Sequence, residues 1–159
     1  MEAGTLSLRV RYDLRVSGHR VVELVTGWIQ RSYVNRDGWW AQLVLDEFDF
    51  LLDRGFSLTS SEMAGVHFHQ KGHYVWFDGP RRDDGPRRDV AVDYDPETNT
   101  IGADVVEHDG PRFIPLDGLI TRYVPDARVP SRSPLDRPAI EENVRWWAAG
   151  LKEIASEVL

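Results

Sequence analysis

Leu6, Leu8, Val10, Tyr12, Leu14 and Val16 alternate with Ser7, Arg9, Arg11, Asp13 and Arg15. A period of two marks a half-buried strand, here with a wet, arginine-bearing face. Ser17-Gly18-His19-Arg20 has turn chemistry. Residues 21–34 fit two periods. Val21, Leu24, Val25, Trp28 and Ile29 have helical spacing, whereas the β-branched and aromatic content favours a strand and Gly27 weakens a helix. The strand is the better fit, and it gives an N-terminal β-hairpin over 1–34.

Residues 35–38 break that pattern. Trp40, Leu43, Val44, Phe48, Leu51 and Leu52 then follow helical spacing, with Gln42, Asp46, Asp49 and Asp53 on the opposite side. Asp37 suits the N-cap and Gly55 the C-terminal stop of a helix over 38–54. Four short strands follow at 64–70, 73–78, 89–94 and 100–107. Lys71-Gly72 and Pro96-Glu97-Thr98-Asn99 are their tight turns. Between the middle two, Gly79-Pro80-Arg81-Arg82-Asp83 is echoed by Gly85-Pro86-Arg87-Arg88-Asp89, and that density of Gly and Pro forbids a regular element.

Residues 112–124 end the sheet and turn into a short helix over Leu116, Leu119, Ile120 and Tyr123. A proline-rich, linker-like loop over 125–137 leads to the C-terminal segment 138–159. There Ile140, Val144, Trp147, Leu151, Ile154 and Val158 recur at steps of 4, 3, 4, 3 and 4. This is the plainest amphipathic helix in the sequence, over 136–158, with Asp136 as its cap. Sequential strands with tight turns imply antiparallel pairing. The order predicts a single α+β domain over 1–159. Its antiparallel sheet has about six strands, the N-terminal hairpin included, with helices 38–54 and 136–158 packed mainly on one face.

Composition narrows the function classes. A protein of 159 residues, 42% apolar, with six Trp, six Phe and five Tyr, can build a core without staples. It contains no cysteine, which removes disulfides, thiolate metal sites and cysteine nucleophiles. No signal-peptide run or membrane-length apolar stretch is present, so a cytoplasmic location is the simplest reading. The net charge of -7 argues against a nucleic-acid binder and suits a basic protein partner.

The candidate chemistry is sparse. His67 and His69 share one face of a strand and His73 follows the turn. A two-residue turn at Lys71-Gly72 pairs Gln70 with His73 and turns His73 away from the other two, leaving solvated strand histidines. A three-residue loop would gather all three into a metal site, with His108 as a further candidate. The alternative enzyme or metal-binding reading rests on that His67/His69 strand. Asp93-x-Asp95-x-Glu97-x-Asn99 looks like a calcium loop but lacks the required Gly and Glu, and a hairpin turn explains it. Arg81, Arg82, Arg87 and Arg88 could hold phosphate or carboxylate, but Asp83, Asp84 and Asp89 interleave with them. The acids Asp46, Glu47, Asp49 and Asp53 form a stripe that could face a partner. The common nucleophile, phosphate-loop, dinucleotide and zinc-protease motifs are missing.

The stretch Phe48-Asp49-Phe50-Leu51-Leu52-Asp53-Arg54-Gly55-Phe56 resembles the helix end of many small bacterial proteins taken to be immunity proteins of polymorphic toxin systems. In these a β-meander follows, with a turn like Tyr94-Asp95, then a short helix and a final helix ending in residues like Val158-Leu159. The resemblance runs over about 39–159. It implies a non-catalytic inhibitor that binds a cognate toxin and blocks it. The acidic stripe and the arginine loop, read from the residues alone, give the partner-binding residues to expect, Asp46, Glu47, Asp49, Asp53, Arg81 and Arg82, in a protein without cofactor that is a monomer or weak homodimer. A scaffolding or adaptor subunit that pairs through its N-terminal hairpin is a further alternative.

Overall fold

The computed structural model describes residues 10–12, 22–24, 28–58, 65–69, 72–110, 112–132 and 135–159. Strands β1 (Val10–Tyr12) and β2 (Val22–Leu24) pair antiparallel with each other, apart from the main sheet. The turn expected at 17–20 lies outside the described residues. Helix α1 (Trp28–Glu47) and the single turn α2 (Phe50–Asp53) follow. Then β3 (Gly65–His69), β4 (Gly72–Phe77), β5 (Arg88–Asp95), β6 (Thr100–Glu107) and β7 (Arg112–Pro115) form one antiparallel sheet in sequence order. Helices α3 (Leu116–Tyr123) and α4 (Arg137–Val158) close the fold. The α+β class and the antiparallel sheet agree with the sequence pattern, but this sheet has five strands and the β1–β2 pair is not one of its edges.

Two boundaries need correction. Residues 28–34 are helical, not strand, and α1 runs straight through 35–38. Asp37 is short, polar and placed just before an apolar stripe, which is why it reads as a cap. Its carboxylate instead crosses to the sheet, where Oδ2 lies 2.7 Å from His73 Nε2. A partner 36 residues away is invisible to local spacing. The expected helix 38–54 is also divided, by a turn at Phe48-Asp49 between α1 and α2. Its stop stands as read. Gly55 has φ 85°, Phe56 N–H bonds Leu51 O and Gly55 N–H bonds Leu52 O. That pair of bonds is the Schellman closure, which needs a left-handed residue at Gly55.

The helices cover one face of the sheet. Alternate residues Val75, Phe77, Val90, Val92, Ala103 and Val105 point into a layer shared with α1, α3 and α4. Helix α1 packs over β3 and β4, α3 over β6 and β7, and α4 contacts both helices. Every member of the α4 stripe is buried: Ile140, Val144, Trp147, Leu151, Ile154 and Val158. Asp136 accepts the Ala139 N–H at 2.9 Å, capping the helix as expected. Gly150 lets α3 approach, since a Cβ there would meet Ile120 Cδ1 at 2.6 Å.

The proline-rich segment is fastened rather than linker-like. Buried Asn143 donates to Ser131 O at 3.0 Å and to Ala139 O at 2.8 Å. The Arg132 guanidinium lies 4.9 Å from the Trp147 ring centroid and pairs with Asp117. Among the described residues no helix is long and apolar enough to cross a membrane.

Trp147 joins these elements, being 1% exposed and donating its indole N–H to Asp117 Oδ1 at 2.5 Å. Trp147→Ala is expected to cost about 3–5 kcal/mol in urea unfolding. A loss under about 1 kcal/mol would contradict the stripe.

Candidate functional site

Strand alternation gives the sheet a second face, away from the helices. Tyr74 and Trp76 of β4, Ala91 and Asp93 of β5, Asp104 and Val106 of β6, and Phe113 of β7 occupy it. The register sets Tyr74 beside Asp93, Trp76 beside Ala91 and then Asp104, and Val106 beside Phe113. Trp76, Ala91 and Val106 make a small apolar cluster separate from the main core, with Tyr74 packed against it. The aromatic rings meet edge to face. Tyr74 and Trp76 centroids are 6.3 Å apart, and those of Trp76 and Phe113 are 6.4 Å apart. Phe113 is 55% exposed, so the row ends in an apolar ring facing solvent.

Two carboxylates accompany the rings. Asp93 lies flat over its cross-strand partner Gly102, where an added Cβ would meet Oδ1 at 2.5 Å. This explains how Asp93 is exposed as a residue while its carboxylate is partly shielded. Burial, and then the charge of nearby Asp104, pushes the Asp93 carboxyl above the ordinary range. Burial, with the charge of Asp117, does the same to Asp104. Burial also raises the Tyr74 phenol.

At the end of this face sits a polar cluster whose members Arg87, Asp89 and His108 the sequence offered only separately. Asp89 is 1% exposed and accepts from Trp76 Nε1 at 2.7 Å and Gly79 N–H at 2.8 Å. His108 Nε2 lies 2.6 Å from Asp89 Oδ2 and 3.0 Å from Arg87 Nη2. One ring nitrogen cannot both donate and accept. The shorter contact and the carboxylate's charge favour Nε2–H donating to Asp89. Arg87 Nη2 also sits 3.1 Å from Asp78 Oδ1. Gly79 admits no side chain, because a Cβ there would fall 1.8 Å from Arg88 O. A His–Asp pair can do acid–base chemistry, but here the carboxylate is saturated by donors from three segments. The cluster acts as a clasp on the 78–89 loop.

The other sequence candidates are dispersed. His73 is not solvated but 1% exposed, on the core side. The register pairs Phe68 with His73, two residues off the expected pairing, so inward and outward positions are unchanged. His73 therefore lies on the opposite face to positions 67 and 69, and the three-histidine metal site does not form. Burial alone would push the Asp37 carboxyl up, but hydrogen bonds and positive charge from Arg36 and His73 hold it below the ordinary range. Asp95 serves the hairpin turn, accepting from Glu97 N–H at 2.8 Å and Thr98 Oγ1 at 2.8 Å, with Asn99 at φ 51°. Its hydrogen bonds from Thr98 and Glu97 lower that carboxyl.

The proposed binding residues are partly committed to the fold. Glu47 accepts from Arg145 at 3.2 Å, and Asp46 from Gln42 at 2.8 Å. Arg82 reaches Asp84 and the Leu159 carbonyl, and Arg88 Nη1 donates to Val158 O at 2.9 Å. Asp49 is half-buried, while Asp46, Asp53 and Arg81 stay exposed. Gly55 lies against Pro80, which brings the end of α2 up to the arginine loop. The aromatic row was the signal missed: β4 carries bulky residues at consecutive positions, the mark of a strand covered on both faces.

Comparison with protein-family models, curated proteins and solved structures found no match.

Asp89→Ala strands the Trp76 and Gly79 donors and removes one of the two buried carboxylates beside Arg87, and should cost about 3 kcal/mol or more in chemical denaturation. Asp93 behaves oppositely. A raised folded-state carboxyl means the native protein holds more protons just above the ordinary value of 3.8, so stability falls as pH rises through that window. Asp93→Asn should therefore be more stable than the parent at pH 7, and the gain should vanish as pH falls below the ordinary value. A pH-independent difference would contradict the assignment.

Proposed function

We propose that the protein is a non-catalytic binding domain that neutralises a cognate toxin by direct contact. The reading rests on the rim of the second sheet face, where the exposed Phe113 ring abuts the buried Trp76 and where Asp93 and Asp104 share the face. Aromatic anchors are among the residues that carry most of the energy of protein interfaces. The two carboxylates carry an electrostatic cost in the free protein that a partner's Arg or Lys would relieve. That matches the acidic net charge and would speed association with a basic surface. The resemblance of 39–159 to immunity proteins supports the toxin as that partner.

The test is co-expression with the product of the adjacent gene. The product alone should arrest growth, and the pair should co-purify in equal amounts. Phe113→Glu, at an exposed ring, should weaken binding by about 2 kcal/mol, roughly 30-fold, and abolish protection without unfolding the domain. A harmless neighbour, or a pair that does not co-purify, sinks the toxin reading. Unchanged affinity in Phe113→Glu sinks the assignment of this face.

A further inference from the structure

A cleft of about 210 Å³ opens where β6 and β7 meet α3 and the last turn of α4. It is separate from the aromatic face, because its β6 and β7 residues point toward the helices. Its floor is apolar: Val105 and Val158 are buried, and Ile114 and Leu119 are half-buried. Its rim is unusual for an acidic protein, with three arginines against two glutamates. Arg88 is already engaged, 3.0 Å from Glu107 and donating to Val158 O. Arg112 and Arg122 are exposed, and among the described residues neither forms an ion pair. The Arg122 guanidinium lies 6.0 Å from the ring centroid of its neighbour Tyr123. Glu157 offsets one of the two, leaving the rim with one net positive charge.

An unpaired guanidinium above an apolar floor is matched by a ligand with one planar anion and one apolar group. Arg offers carboxylate a bidentate fork, and the single net charge favours a monoanion over a phosphate dianion. An apolar cavity of about 150 Å³ accepts benzene, so this cleft has room for a ring and a short carboxylate arm. We propose that the cleft binds a small apolar carboxylate, with Arg112 and Arg122 holding the anion and Val105, Ile114, Leu119 and Val158 holding the apolar part. The carboxylate belongs either to a free small acid or to the C-terminal residue of a peptide.

Benzoate titrated into the full-length protein tests this, read from methyl shifts of Ile114 and Leu119 by NMR. Saturable shifts with a Kd of about a millimolar are expected. Neutral benzamide should bind at least about fivefold more weakly. Arg112→Gln and Arg122→Gln are exposed changes that keep the fold, and each should weaken benzoate about fivefold. The tripeptide Ala-Ala-Phe separates the sources: binding of benzoate alone assigns a free acid, and binding of both, lost on amidating the peptide, admits peptide C-termini. Absence of saturable shifts, equal binding of benzamide, or parental affinity in both variants overturns the proposal.

Discussion

Side chains alternate along a strand, so β4, β5 and β6 cannot give α1, α3 and α4 an apolar layer without building a second layer behind it. Val75, Phe77, Val90, Val92 and Val105 face the helices. Their neighbours Trp76, Ala91 and Val106 then have no choice but the reverse side. A reverse side meant only for water would read as polar at those positions. Here it carries an indole, a phenol and an exposed phenyl ring. Both layers are buried at their centres, and the reverse layer departs from what stability requires only at its exposed Phe113 and its two carboxylates.

Much of the scaffold was legible because it is set by local period. The α4 stripe, its Asp136 cap, the Gly55 stop and the strands from 65 to 107 depend on spacing and on single-residue backbone preferences. What escaped was set by distant partners. Asp37 looks like a cap until His73 arrives from β4. Asp89 looks like one more acid in an arginine loop until Trp76, Gly79 and His108 converge on it. Asp117 looks like a first-turn acid until Trp147 and Arg132 reach it. Each carboxylate satisfies donors from segments far apart in sequence, and no window of ten residues shows that.

The same pairing explains the fate of the arginines. The repeated Gly-Pro-Arg-Arg-Asp segments suggested a neutralised, solvated loop. Instead Arg82 and Arg88 hold the carbonyls at the end of α4, while Arg87 pairs with the carboxylates of Asp78 and Asp89. A guanidinium has five donors in a fixed fork, enough to satisfy orphan helix carbonyls and a carboxylate together. The loop is thus a brace between the sheet and the closing helix. Of the three cleft arginines, Arg112 and Arg122 have no such task among the described residues.

Asp93 and Asp104 complete the contrast. Asp37, Asp89 and Asp117 gain hydrogen bonds or a cation that favours their charge, whereas these two are raised by burial and by neighbouring negative charge. A folded protein under selection for stability alone would replace one of them with Asn or Thr at little cost to the sheet. Their presence beside the exposed Phe113 ring has a physical reason if the missing cation comes from outside. The electrostatic cost in the free protein then becomes binding free energy in the complex, since a ligand that relieves an unfavourable charge gains what the fold had given up.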